Sequence, residues 1–234
     1  MRIDKFLSNL KFGSRKEVRE LIKKGYVTIN GQVTSDFGLD ISPALDQVIV
    51  GEETVYYKPF ITLMMNKPKG VVSANTDPIE ETVIDLIGIP YARFDFNIAG
   101  RLDKDTEGLL ILTTDGAMLH QIISPNNEIY KTYLVELRDP LSRTEELQKG
   151  VTIKDGKNMD FLTKPCFIHP INETKTTIKI LEGKFHQVKR MFEAIDNEVI
   201  SLKRISIGEL QLDETLKPGE VKELSQIDIG NIFH

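Results

Sequence analysis

The residues best suited to chemistry lie in the segment GRLDKD, residues 100–105, just ahead of a wholly apolar strand predicted at residues 109–112. Loops carried by buried strands are common places for catalytic groups. Of the two carboxylates in this loop, Asp103 can act as a nucleophile or stabilise an electron-poor centre. The ordinary alternative is a surface ion pair or a turn residue beside Arg101 and Lys104.

Two further side chains are candidates because of the elements that carry them. Tyr133 lies in residues 128–137, whose nearly strict alternation of apolar and polar residues predicts a strand. Lys189 lies beside the apolar face of a helix predicted from Val188 to Ile195. Cross-strand packing and a solvated lysine are the ordinary explanations of these two positions.

The chain shows no sign of a cofactor or metal site. Its four histidines, at positions 120, 169, 186 and 234, are scattered, and Cys166 has no cysteine partner. No dinucleotide-binding glycine run or phosphate loop is present. We therefore expect neither metal nor cofactor, and we interpret Cys166 as a small core residue.

Composition and charge indicate an ordinary globular protein with a basic N-terminal part. Of the 234 residues, 40% are hydrophobic and 28% are charged. No membrane span or signal peptide is evident, and a single cysteine fits a cytoplasmic protein. The net charge is −5, yet residues 1–24 hold eight basic and three acidic side chains, giving +5, so the remainder carries −10. This asymmetry suggests nucleic-acid binding, although a solvated helix face explains it too.

The N-terminal part predicts two short helices and a hairpin. Residues 3, 6, 7 and 10 form one apolar stripe, and Ser14 with Glu17 forms a capping box ahead of a second helix that ends at Gly25. Asn30-Gly31 is a strong signal for a tight hairpin turn. The run SRKEVRELIKKGYVTINGQV resembles the RNA-binding domain shared with the fourth small-subunit ribosomal protein. The resemblance implies that basic side chains contact RNA phosphates, with these candidates: Arg2, Lys5, Arg15, Lys16 and Arg19.

The remaining chain predicts a second, larger domain. We place the boundary near residues 57–60, giving domains at 1–57 and 58–234, with a hinge between them as a hypothesis. Predicted helices follow Asp77-Pro78 (to Gly88), start at Thr114 or Asp115, and follow Ser142 (to Gly150) and Gly183. The last predicted strand is residues 199–207. This irregular order favours an α+β fold: an αα-hairpin domain plus a mixed, mostly antiparallel sheet flanked by helices.

Three segments together resemble the RsuA family of ribosomal small-subunit pseudouridine synthases: NKPKGVV (66–72), AGRLDKDTEGLLILTTDG (99–116) and LEGKFHQVKRMF (181–192). The resemblance implies that Asp103 is catalytic, that Tyr133 lies on the target base and that Lys189 pairs with the aspartate. It also implies that Leu202 packs in the pocket. Plausible phosphate or base contacts are Lys67, Arg101, Lys184, His186, Arg190 and Arg204.

The implied reaction turns a uridine of ribosomal RNA into pseudouridine without gain or loss of atoms, and it requires the uridine to leave its stack. The segment FHQVKR (185–190) favours 16S RNA, free or in an assembling small subunit, over the 23S RNA of relatives with an NRQVRR-like segment. A non-catalytic RNA-binding assembly protein and, more weakly, action on transfer RNA stay as alternatives. We expect a cytoplasmic monomer.

Overall fold

The computed structural model describes residues 1–234 and divides into two compact units. The first unit comprises Met1–Phe60 and Gly88–Asp95, and the second comprises Ile61–Ile87 and Phe96–His234. Inclusion of Gly88–Asp95 in the first unit was not predicted from the sequence. Arg93 explains it, because its guanidinium lies 3.7 Å from the Phe12 ring centroid and its Nε and Nη2 donate to the Glu53 carboxylate at 2.8 and 2.6 Å.

The first unit contains the predicted pair of helices and hairpin. Its elements are α1 (Ile3–Asn9), α2 (Arg15–Lys23), β1 (Val27–Ile29), β2 (Gln32–Val33), β3 (Val48–Val50) and β4 (Glu53–Thr54). The strands form an antiparallel sheet in the order β2-β1-β3-β4. The capping box of Ser14 and Glu17 is confirmed, and Asn30 and Gly31 both have positive φ between the paired strands β1 and β2.

The second unit is built on one large sheet. The strands of the second unit are β5 (Thr62–Lys67), β6 (Asn97–Ala99), β7 (Glu107–Thr113), β8 (Lys131–Leu137), β9 (Thr152–Lys154), β10 (Asp160–Leu162), β11 (Phe167–Pro170), β12 (Lys175–Ile180), β13 (Val199–Ile207), β14 (Leu210–Gln211) and β15 (Val221–Glu223). Its helices are α3 (Gly116–Ile123), α4 (Thr144–Lys149), α5 (Gln187–Glu193) and α6 (Gln226–Asn231).

The sheet order is β11-β12-β8-β13-β7-β5-β15, with β14 added to β13 and β6 added to β7. Only the β13–β7 pair is parallel, and β9 and β10 form a separate hairpin. The prediction of a mixed, mostly antiparallel sheet is confirmed. Strand β7 lies well inside the sheet and its residues 108–113 are buried, which explains the apolar run that follows the Asp103 loop.

The helix predicted after Asp77-Pro78 is wrong. Asp77 does accept hydrogen bonds from the backbone N–H groups of Ile79 and Glu80, as a helix cap would. The backbone after these residues forms hydrogen bonds with Val72 instead. The Val72 N–H donates to the carbonyl of residue 81, and the Val72 carbonyl accepts from the N–H of residue 83, both at 3.0 Å. These long-range bonds replace the first turns of a helix.

Two other predicted boundaries differ from the structure. Ser142 does not cap α4, because Arg143 occupies the cap position with φ 51° and makes no side-chain cap bond. The strand predicted as the last is followed by β14, β15 and α6, so this prediction is wrong. β15 is a three-residue edge strand that pairs with β5, about 160 residues earlier, and its short sequence carries no periodic signal.

Candidate active site

The loop between β6 and β7 that carries Asp103 is fixed at its start by a buried hydroxyl. Ser73 Oγ donates to Leu102 O at 2.7 Å and accepts from Leu102 N at 3.1 Å. Gly100 enters the loop with φ 83°, a conformation that favours glycine. The backbone immediately before Asp103 is therefore held in one geometry.

Lys67, at the end of β5, holds the other side of the loop. Its side chain is fully buried, and Nζ donates to the carbonyls of Asp103 (3.1 Å), Thr106 (2.9 Å), Pro68 (2.9 Å) and, at 3.4 Å, Lys104. Burial lowers the pKa of Lys67 to about 8, against the opposing effect of nearby carboxylates. The ammonium that the sequence suggested as an RNA contact thus lies beneath the loop.

Arg204, on β13, is a second buried cation that donates to the backbone. It is 2% exposed, and its Nε and Nη2 donate to Leu109 O at 2.7 Å and Gly100 O at 2.9 Å. The parallel β13–β7 pair puts Gly108 against Arg204, where a Cβ on Gly108 would meet Arg204 O at 2.2 Å. This contact and its φ of 102° both require glycine at position 108.

Asp103 lies between two groups that can carry positive charge. Its side chain is 28% exposed, Oδ2 is 3.6 Å from Lys189 Nζ on α5, and Oδ1 is 3.6 Å from His186 Nε2. Lys189 is closer to Asp105, at 2.5 Å. Partial burial acts to raise the pKa of Asp105, but the hydrogen bond and charge of Lys189 outweigh it and leave that pKa below its usual range. Lys189 therefore serves both carboxylates, whereas the resemblance implied only one.

The sheet forms the floor of the groove at Asp103. Tyr133 on β8 lies opposite Arg204 on β13, and Leu202 lies opposite Val135, so these side chains share one face of the sheet. Tyr133 and Leu202 are buried and line a small cavity together with Asp103. This cavity adjoins a larger groove of about 840 Å³, within the size range of ligand sites.

An aromatic pair connects the groove to α5. The Phe185 and His186 rings stack with centroids 3.8 Å apart, and the Arg190 guanidinium lies 4.9 Å from the Phe185 centroid. Arg190 Nη1 also donates to the carbonyls of Lys154 and Asp155 next to the β9–β10 hairpin. His186 therefore faces Asp103, while Arg190 is engaged with the backbone away from the groove.

Several groove residues were not singled out by the sequence. Of the predicted contacts, four line the groove: Arg101, Lys184, His186 and Arg204, the last of which is 2% exposed and donates to the backbone. Lys131 also lines it, and alternation along β8 could have placed it on the same face as Tyr133. The other unpredicted lining residues include Phe161, Lys164 and Phe185.

In the first unit, the five predicted phosphate contacts fall into two groups. Arg2 and Arg19 bind the buried carboxylate of Asp4, at 3.1 and 2.8 Å. Burial acts to raise the pKa of Asp4, but the two arginines lower it overall. The other three are exposed and make no ion pair within the chain: Lys5, Arg15 and Lys16.

No group of three or more His, Cys, Asp or Glu side chains is arranged to hold a metal ion, and no helix has the length and apolarity needed to span a bilayer. Cys166 is buried, its Sγ donates to Leu147 O at 3.1 Å, and burial raises the pKa of its thiol to about 11. It is a core residue.

Two family models match this chain. One is described as RNA pseudouridylate synthase and matches residues 61–194, and the other is described as S4 domain and matches residues 1–41. A solved structure titled "Crystal structure of pseudouridylate synthase" is similar with a TM-score of 0.69 and 33% sequence identity, covering 99% of each chain.

Three named relatives align over nearly the whole chain. The Bacillus subtilis protein "Uncharacterized RNA pseudouridine synthase YtzG" is 44% identical, over 98% of this chain and 97% of its own. Proteins named "Ribosomal small subunit pseudouridine synthase A" are similar in two further organisms. The Vibrio cholerae protein is 38% identical over 100% of both chains, and the Escherichia coli protein is 36% identical over 99% of this chain and 100% of its own.

Proposed function

This chain belongs to the RsuA family of RNA pseudouridine synthases, and on that premise we propose that it converts one specific uridine of 16S ribosomal RNA to pseudouridine. The small-subunit target is supported by the names of the Vibrio cholerae and Escherichia coli relatives, which align over nearly the whole chain. The segment FHQVKR at residues 185–190 supports the same target.

Asp103 is the catalytic residue of this proposal. The observation that carries it is the position of this partly buried carboxylate in the small cavity lined by Tyr133. Its two oxygens lie 3.6 Å from Lys189 Nζ and from His186 Nε2. The reaction needs an ionised carboxylate that is held in one orientation. Lys189 attracts and orients Asp103, and the backbone bonds of Ser73 and Lys67 hold the loop in place.

The reaction breaks the bond from ribose C1′ to N1 of the uracil and joins C1′ to C5. The base turns in between, the proton on C5 leaves and N1 gains a proton, so the atoms balance without a co-reactant. Asp103 serves the first step in one of two ways: it attacks C1′, or it removes a proton from the ribose. Both use the same ionised oxygen, and glycosidic-bond chemistry commonly uses a carboxylate in this manner.

The uridine reaches Asp103 by leaving its stack. Enzymes that act on a base inside a folded nucleic acid take that base into a pocket of their own. Tyr133 supplies an aromatic face for the uracil and a hydroxyl for the proton that moves at C5, and Leu202 packs on the same face of the sheet. The cost of flipping is smallest in a loop or strained helix.

The first unit supplies RNA affinity rather than chemistry. Its match to the S4 domain model and its exposed cations support this assignment. Phosphate contacts fix position and orientation but do not read the base sequence. The free cations assigned to this task are Lys5, Arg15 and Lys16.

The test is to map pseudouridine in ribosomal and transfer RNA from cells that lack this protein. Cells complemented with wild type should regain one 16S site, and cells with Asp103→Asn should not. Asp139→Asn is a matched control, since it removes the same charge from an exposed position outside the groove. A missing 23S or transfer RNA site would overturn the target. No missing site would reject ribosomal and transfer RNA as targets of modification and favour the binding-only alternative, and restoration by Asp103→Asn would reject the catalytic role.

A further inference from the structure

Lys131 occupies a distinctive place in the groove. It is the first residue of β8 and lies two positions before Tyr133, so the two side chains project from the same face of the sheet. Both line the groove that contains Asp103. Across the strand pair, Ile207 lies opposite Lys131 and Arg204 lies opposite Tyr133. Lys131 therefore extends the sheet face that forms the floor of the groove beyond Tyr133.

Lys131 differs from most other lysines of the site in having no partner. Lys67 donates to four carbonyls, Lys189 pairs with Asp105, and Lys164 lies 3.5 Å from Glu128. Lys131 makes no hydrogen bond and no ion pair within the chain. Its side chain is nonetheless half-buried, so it has lost much of its hydration without gaining a protein contact.

An unpaired cation in this position is energetically unfavourable in the free protein. Burial and, secondarily, the charge of Arg204 lower the pKa of Lys131 to about 8. Both effects would be reversed by an anion placed beside the ammonium. A lysine in a cleft whose charged form is disfavoured in this way is typical of a ligand site rather than of a group that stabilises the fold.

We propose that Lys131 binds a backbone phosphate of the RNA strand next to the target uridine, a contact that rests on the proposed function. A phosphate carries a full negative charge, which offsets both the lost hydration of the lysine and its repulsion by Arg204. A uracil carbonyl offers only a partial charge.

Two neighbouring cations support a strand rather than an isolated base. Arg101 and Lys184 line the same groove, and neither has a carboxylate partner. Lys184 Nζ instead lies 4.7 Å from the Phe161 ring centroid. Three cations without a carboxylate partner and the aromatic side chains of Tyr133, Phe161 and Phe185 thus line one groove. Proteins that follow a single nucleic-acid strand combine the same two kinds of group.

The first test compares Lys131→Met with Lys149→Met in the full chain, since Lys149 is exposed at the end of α4, outside the groove. With a 16S RNA transcript, Lys131→Met should raise the half-saturating RNA concentration about tenfold or more. The slope of log affinity against log salt should fall by about 0.7 to 0.9, the loss of one phosphate contact. The rate at saturating RNA should change less, and Lys149→Met should match wild type.

A second measurement keeps the test decisive if Lys131→Met folds poorly. Lys131→Arg should retain most of the affinity. Replacing the phosphate beside the mapped uridine by a neutral methylphosphonate should weaken binding to wild type but have little further effect on binding to Lys131→Met. Equal losses in both proteins, or a lower saturated rate with unchanged affinity and salt slope, would overturn the phosphate contact. Wild type that binds the transcript but forms no pseudouridine would overturn the proposed function, while the binding comparison would still decide the role of Lys131.

Discussion

Lys5, Arg15 and Lys16 lie exposed on α1 and α2 of the first unit without acidic partners, whereas Lys67 and Arg204 of the second unit are buried and donate to main-chain carbonyls. All five were candidates for RNA contact on the basis of the sequence. In the first unit the cations remain available to a ligand. In the second unit, Lys67 and Arg204 instead hold the loop that carries Asp103 through hydrogen bonds to its backbone carbonyls.

The difference teaches that a basic residue in an RNA-modifying enzyme has two separate uses. A solvated ammonium costs the fold little and attracts phosphate at long range. A fully buried cation loses its hydration, so it needs acceptors around it, as the carbonyls around Lys67 and Arg204 provide. Variants of the two groups should consequently fail in different ways, and the following predictions are ordered from the largest expected effect to the smallest.

Asp103→Asn should have the largest effect, and it should fall on chemistry alone. Loss of a catalytic carboxylate lowers the saturated rate by a factor of roughly 10⁴ or more. RNA affinity should be nearly unchanged, because the variant leaves the cations of both units in place. Asp105→Asn is the sharpest comparison: it removes the carboxylate that is nearer to Lys189 but should cost about tenfold or less. Single-turnover rates with 16S transcript measure both. Equal losses in the two variants would contradict our assignment of Asp103.

Lys67→Met should damage folding and rate together. It removes a donor from four carbonyls around the Asp103 loop. The carbonyls of Asp103 and Lys104 keep a backbone N–H donor, but an unsatisfied buried carbonyl costs about 1 to 3 kcal/mol. We expect the free energy of unfolding in urea to fall by about 2 kcal/mol or more. Lys16→Met, at an exposed site, should change it by less than about 0.5 kcal/mol. A Lys67→Met protein of unchanged stability would remove the contrast between buried and exposed cations.

Arg15→Met and Lys16→Met should show the opposite behaviour. Each should weaken RNA binding several-fold and reduce the salt slope by about 0.7 to 0.9, because each removes one phosphate contact. The saturated rate and the unfolding free energy should stay close to wild type. Filter binding over a series of KCl concentrations measures the slope. Unchanged affinity in the double variant would count against RNA contact through this face of the first unit.

The smallest effect concerns pH. Lys67 has a pKa of about 8, so it is protonated below that value and loses a proton above it. The ammonium has three N–H donors and the neutral amine has two. The hydrogen bonds from Lys67 to the carbonyls of the Asp103 loop therefore weaken as pH rises. The saturated rate should decline several-fold between about pH 8 and 10, and saturating RNA removes the effect of Lys131 on affinity. The decline should be absent from Lys67→Met. A flat wild-type profile would contradict this role.

Much of the fold could be predicted because its signals are local. The capping box of Ser14 and Glu17, the Asn30-Gly31 turn and the apolar run of β7 each depend on a few adjacent residues. The wrong predictions concern elements that are set by contacts between residues distant in sequence. The backbone that follows Asp77 pairs with Val72 rather than forming a helix, and the edge strand β15 joins β5 from far along the chain.

For the candidate site, the sequence by itself determined the residue types and the motifs: a loop carboxylate in GRLD, a tyrosine on an alternating strand, and a lysine on an amphipathic helix. These motifs were also sufficient to identify the family. They depend on short stretches of chain, which is why no structure was needed to recognise them.

Only the tertiary structure decided what each charge does. In the structure, Lys189 contacts the carboxylates of both Asp103 and Asp105. Lys67 and Arg204 donate to carbonyls of the Asp103 loop, and Lys131 has no partner within the chain. Burial and charge separation depend on strands and helices that are distant in sequence, and these quantities set the pKa and the free donors of each group. The same basic residue types therefore became phosphate candidates in one place and supports of the backbone in another.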